Sequence, residues 1–262
     1  HGTAKGGAIS KKDFGVAFGG GAAPASLSDE NLMAYWKFNE SSSPVENKSV
    51  SDETLGTAAD MTVSNGTFDQ TGIIGEAVSW DGSTTQGIVG SSLSQFNFLH
   101  SDAYDFTINL WYKKLNAAED LNQQIMSSRN TTNGFTMQFD DITLSKLFGV
   151  TCEQNNNTFI SSHPGIGEIP QDTDWHMQSW YGNATDATVK FKLDNGTAIT
   201  VTEGTAPSGS ANAQYAMSIG RNSSASTYWY KGLLDEFSIW NRTLTDDEIS
   251  ILYNSGDGFA IY

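Results

Sequence analysis

The chain has 262 residues, 11% of them aromatic, with 14 Lys and Arg against 30 Asp and Glu, for a formal net charge of −16. That length fits one large all-β domain, and the acidic balance argues against nucleic-acid phosphates and anionic membranes as partners. The single cysteine, Cys152, excludes an intrachain disulfide framework, and no apolar run is long enough for membrane insertion.

Taken in order, residues 1–30 stand apart. Gly6-Gly7 and Gly19-Gly20-Gly21 bracket a short apolar run from Phe14 to Phe18. Such a segment makes no core of its own and reads as an arm, a linker or a docking strand, with a flexible terminus as the plainer reading. The chain starts at His1 rather than Met, which leaves open a trimmed N-terminus and a removed signal peptide.

Residues 31–262 read as one domain of short alternating strands. Leu32, Ala34, Trp36 and Phe38 share a face, and a polar loop with Pro44 follows. Ala77, Val78 and Trp80 mark a second strand. Phe106, Ile108, Leu110 and Tyr112 mark the clearest one, with Trp111 on its other face. Phe135 to Phe139, Leu147 to Val150 and Trp175 to Tyr181 follow. Val189 to Leu193 then leads through the turn Asn195-Gly196 to Ile199 and Val201, and Tyr215 to Ile219 precedes the last strand. From Leu233 to Trp240 strict alternation would put Leu233, Asp235, Phe237 and Ile239 on one face and Leu234, Glu236, Ser238 and Trp240 on the other. Thr245-Asp246-Asp247-Glu248 then announces a helix with a capping box, Ile249, Leu252 and Tyr253 form its apolar stripe, and Gly256 stops it. This pattern predicts an antiparallel two-sheet β-sandwich with a short C-terminal helix.

Several pieces carry a resemblance. Gly232 to Ile249 followed by Leu252-Tyr253-Asn254-Ser255-Gly256 resembles the C-terminal signature of laminin-G-like domains of the concanavalin A-like jelly-roll superfamily. Tyr35 to Glu40, Glu76 to Gly82, Asp105 to Tyr112, Asp174-Trp175-His176, Leu193 to Gly196 and Ser218 to Arg221 match in the family's order, so the likeness covers roughly 31–256. It implies a jelly roll that binds glycans or proteins, often with a structural calcium. Separately, Gly7 to Gly15 is similar to short segments at the starts of some tailed-phage virion proteins. That likeness implies an arm that anchors the sandwich to a particle. The expected location is a virion surface or the extracellular space, with particle docking or homo-oligomerisation through residues 1–30.

Hydrolases of the superfamily carry Glu-x-Asp-x-x-Glu on one strand, and no such run is present. Asp140-Asp141 and Asp235-Glu236 are neighbours whose side chains would leave a regular strand on opposite faces, so no enzyme is expected. His1, His100, His163 and His176 lack metal-ligand spacing, and Cys152 reads as a small half-buried residue. A hard cation wants several oxygens, and Asp235, Asn39 and Asp81 would supply them if the first and last strands pair, as the resemblance implies. The alternative fixes Asp235 by backbone N–H groups or Arg242. For a glycan surface the best candidates are Tyr228, Trp229 and Tyr230 beside Asn222, since aromatic rings cover the apolar faces of sugars and amides bind their hydroxyls. Phe96, Phe98 and His100, or Trp180 with Tyr181, come next. Asn-x-Ser/Thr triplets recur, at Asn39, Asn47, Asn65, Asn130, Asn156, Asn183, Asn195, Asn222 and Asn241, and hint at surface glycosylation.

Overall fold

The computed structural model describes residues 26–262 apart from 50–58, 91, 117–121, 130–131, 143–144, 156, 163–167, 203, 205–206 and 225–226. The expected arm therefore lies almost entirely outside the described residues.

Two antiparallel sheets form a jelly-roll sandwich. The first has eight strands. They run in the order β13 (Ile199–Thr202), β12 (Thr188–Leu193), β11 (Trp175–Asn183), β6 (Asp105–Lys114), β15 (Lys231–Trp240), β4 (Glu76–Asp81) and β3 (Thr67–Thr71), and β1 (Leu32–Trp36) also pairs with β15. The second runs β10 (Asn157–Ser162), β9 (Ser145–Gln154), β8 (Gly134–Ile142), β7 (Gln123–Ser127), β14 (Ser218–Ile219), β5 (Gln86–Val89) and β2 (Met61–Ser64). One helix, α1 (Asp246–Tyr253), follows β15.

The core between the sheets takes the inward residues of both. Phe106, Ile108, Leu110 and Tyr112 of β6 meet Phe135, Met137 and Phe139 of β8 and Phe148 and Val150 of β9. Cys152 lies in this layer and is fully rather than half buried; burial pushes its thiol pKa well up, so it packs as a small hydrophobe. A second apolar layer coats the outside of the first sheet, where Leu32, Tyr35, Trp111, Met177, Tyr181 and Trp240 pack under Leu244, Ile249 and Leu252. Trp111 and Tyr253 stack at 5.7 Å with planes 9° apart. The helix begins with the expected capping box, Glu248 N donating to Thr245 Oγ1 and Thr245 N to Glu248 Oε2. It stops earlier than Gly256, at Asn254, which takes the left-handed conformation. Arg242 donates to both Glu248 oxygens and to the carbonyls of Ser28 and Glu30, and Leu27 packs against the outer layer. The packed body thus begins a few residues before 31.

Strict alternation fails in β15. A bulge between Asp235 and Ser238, with Glu236 at φ 49°, shifts the phase. Leu234, not Leu233, shares the core with Phe237 and Ile239. Strands β2, β3, β5, β7 and β10 are absent from the sequence reading because they are short, polar or Gly-containing. Gly87 in β5, for instance, has Met61 pressed where a side chain would stand.

Trp111→Ala should cost about 3–5 kcal/mol by emptying the layer beneath α1. A denaturant titration would show it as a lowered unfolding midpoint with α1 loosened.

Candidate binding site

The chain leaves β14 at Gly220 and returns at Tyr230, and backbone bonds close this excursion at its base. Gly220 N donates to Ile125 O at 2.8 Å and Tyr230 N to Gly220 O at 2.8 Å. Gly220 has φ 82° and the Trp80 indole occupies the place of a β-carbon, so only glycine fits. Further out, Asn222 N reaches Thr227 O and Gln124 N reaches Tyr228 O. The loop is tied to the end of β7.

Tyr228 is 50% exposed and held at φ 54°, a left-handed conformation that non-glycine residues rarely adopt. Trp229 is half-buried, with the Arg221 guanidinium 5.7 Å over its ring. Tyr230 departs from expectation. It is fully buried against Trp80 and Phe139, and its hydroxyl donates to Leu233 O, so it belongs to the core and offers no face to a ligand. Asn222 is a loop brace as well: its Oδ1 accepts from Ser224 N at 2.7 Å and Ser224 Oγ at 2.6 Å. Of the four expected residues, the structure brings Tyr228 and Trp229 to the surface together and assigns Asn222 and Tyr230 to support.

Beside this loop runs the outer face of the second sheet, which is polar. Ser223 Oγ donates to Arg129 O and meets Ser127 Oγ, which in turn faces Thr136 Oγ1. Gln124 Nε2 donates to Gln138 Oε1 at 3.3 Å. Arg129 Nε donates to Glu153 Oε2 at 2.7 Å, and Thr158 Oγ1 donates to the other oxygen. Burial acts to raise the Glu153 pKa, but Arg129 and Thr158 outweigh it and hold it low. No local pattern announces the contact of this face with the 220–230 loop, because Ser127 and Ser223, 96 apart in sequence, meet there.

Of the expected calcium ligands, Asp235 and Asn39 meet at one turn and Asp81 lies apart from them. Asp235 accepts from Ile73 N, Ile74 N and Glu236 N, which spends both its oxygens on amides. Asn39 Oδ1 accepts from Glu76 N, so Asn39 and Asp235 both pin the turn between β3 and β4, where Gly72 leaves room for the Asp235 carboxylate. Asp81 sits at the far end of β4 and closes its own loop, accepting from the amides of Ser83, Thr84 and Thr85. Burial pushes against it, but those amides outweigh that and hold its carboxyl far below the usual range. Arg242 serves Glu248 instead. These residues do not fit a calcium cage, and among the described residues no three His, Cys, Asp or Glu gather for a metal.

Asp235 and Glu236 form a buried acid pair, 0% and 3% exposed. Tyr35 Oη donates to Glu236 Oε2, and Tyr35 Oη in turn accepts from Ile261 N. Burial pushes Asp235 up to about 8, with the Glu236 charge adding to it, and pushes Glu236 up to about 7 against the pull of Tyr35 and Lys37. Sealed beneath the C-terminal residues, the pair cannot flank a substrate. His100 is also buried, its Nδ1 2.9 Å from Gln154 Oε1, with burial lowering its pKa.

Residues 82–250 match a laminin G family described as the concanavalin A-like lectin/glucanases superfamily, and the chain belongs to that family. Among curated proteins none matches it by sequence. Solved structures share its fold. Domain 4 of AbnA, an extracellular arabinanase from Geobacillus stearothermophilus solved with arabinotriose, is 15% identical at TM-score 0.58, over 84% of this chain and 97% of that one. The binding domain of botulinum neurotoxin DC, in complex with rat synaptotagmin II, is 16% identical at TM-score 0.62, over 88% of this chain and 52% of that one. The same domain with SialylT is 15% identical at 0.60, over 87% and 52%. The chain thus spans about half the length of the toxin domains.

Gly220→Ala should destabilise by about 1–3 kcal/mol through its backbone conformation and the Trp80 clash, read as a lower melting midpoint. Asp235 and Glu236 have folded pKa values above their ordinary ones, so their contribution is complete below about pH 4 and fades as pH rises through 7 to 8. The melting midpoint should fall by several degrees between about pH 5 and pH 9, and Glu236→Gln should flatten much of that slope; a slope unchanged in the variant would place the titration elsewhere.

Proposed function

We propose that this chain is a non-catalytic adhesive module, displayed on a virion or a cell exterior, that holds a glycan through the loop between β14 and β15. The observation that carries the reading is the pair Tyr228 and Trp229. One ring is half exposed on a left-handed backbone, and the other stands under a guanidinium. Sugar rings present apolar C–H faces for such aromatics and hydroxyls for such polar groups. The relatives support it: one with the same fold was solved with arabinotriose and another with SialylT. The lack of the Glu-x-Asp-x-x-Glu run of the superfamily's hydrolases supports the non-catalytic part.

A protein neighbour is the second reading, and the complex of a like-folded domain with synaptotagmin favours it. In that case the module decorates or assembles, with residues 1–30 as the anchor to a particle or to a second copy. No helix among the described residues is long and apolar enough to cross a membrane.

A broad glycan array with the wild type and Tyr228→Ala and Trp229→Ala variants tests this. Binding should fall about tenfold or more in each variant, in the range expected when one aromatic anchor is lost, with the melting midpoint of Tyr228→Ala unchanged. Silence across the array, with particle binding lost on deleting residues 1–30, would establish the assembly reading instead. Polysaccharide cleavage abolished by a single carboxylate change would overturn the non-catalytic claim.

A further inference from the structure

We propose that His176, Asp172 and Asp194 form an acid-favoured latch, which fastens the segment entering β11 to the turn between β12 and β13 and releases it as the pH rises. The imidazole lies between two carboxylates. Its Nδ1 is 3.0 Å from Asp194 Oδ2, and its Nε2 is 2.9 Å from Asp172 Oδ1. A neutral imidazole has one N–H and one lone pair, so one nitrogen would set its lone pair against a carboxylate oxygen at hydrogen-bond distance. Only the imidazolium donates from both nitrogens. The geometry therefore requires the second proton.

The surroundings hold the latch in register. Asp194 Oδ1 accepts from Met177 N at 2.9 Å, and Asp172 Oδ1 also accepts from Asp174 N at 3.0 Å. Neither carboxylate can turn away without losing a backbone bond. The other titratable groups that face the cluster are Tyr112, whose ring is 5.8 Å from the imidazole, Lys114 on β6, which favours the Asp172 anion, and Tyr253 on α1, which feels the Asp194 charge. Burial works to lower the His176 pKa, and the two aspartates outweigh it and raise it. A histidine raised in this way contributes fully below its ordinary value of about 6.5, and the contribution is lost as the pH passes the folded value.

The latch acts on a short stretch. Ile169 is buried in the core and anchors the segment on its own. Release therefore concerns residues 171–174. Trp175 pairs with Lys113 and Gly232 with Lys114, which puts the latch at the same end of the sandwich as the loop carrying Tyr228. The latch stands whatever that loop binds.

Residue-resolved NMR of the whole chain tests it, following the imidazole nitrogens and the amide protection factors from about pH 5.5 to about pH 9. His176 should titrate above the free-histidine value, with both nitrogens protonated below it, and protection at 171–174 should drop about tenfold as it titrates. Asp172→Asn changes an exposed side chain and leaves the core untouched; it should lower the His176 titration and leave 171–174 poorly protected at every pH. His176 titrating at or below the free value would overturn the latch. So would protection at 171–174 that stays constant across the range, or an Asp172→Asn chain that matches the wild type. Because the readout is by residue, titration of Asp235 and Glu236 does not enter it.

Discussion

The hydrogen bonding of β15 on both edges is what the rest of this fold depends on. Along one edge it pairs with β6 over nearly its whole length. Along the other its first half pairs with β4 and its second half with β1. Among the described residues no other strand of the first sheet joins three partners. Its inward residues close the core and Trp240 seats the helix, so one ten-residue segment fixes both apolar layers. The bulge at Asp235 and Glu236 lets it serve two partners on one edge, because the change of phase and twist falls where β4 gives way to β1.

That bulge also explains where the charge went. A chain of net charge −16 keeps most of its described carboxylates in water, yet it commits two adjacent ones to a sealed site. Asp235 holds the β3–β4 turn by accepting its amides, and Glu236 holds the C-terminal residues through Tyr35. The arrangement is a structural brace made from acids. Its energy depends on protonation because burial disfavours both charges at once.

Much of the fold was legible in the residues, and the reasons differ by element. Two-residue alternation in β6 and β8, the Asn195-Gly196 turn and the Thr245 capping box are local signals that tertiary packing did not override. The phase of β15 was not legible, since Leu233 and Leu234 are equally apolar and only the bulge decides which enters the core. The binding loop was half legible: aromatic identity pointed to Tyr228, Trp229 and Tyr230, but burial depends on where each ring lands, and Tyr230 lands against Trp80 and Phe139. The partners of Asp235 were not legible for a similar reason. An acid on an apolar face needs a partner, and sequence alone does not distinguish a cation from the amides of Ile73 and Ile74, distant in sequence.

The pairing of Leu32 with Trp240 has a consequence for how the protein is made. As the chain leaves the ribosome, β1 emerges some two hundred residues ahead of the strand it needs, and β4 and β6 also wait for it. Until that late segment arrives the first sheet is left in three pieces, with open edges and a bare aromatic layer. Such topologies are slow to fold and prone to stick to one another in the interval. Truncation upstream of β15 should therefore yield not a smaller sandwich but an aggregating chain, and ribosome stalling in that region would be more harmful than stalling anywhere after α1.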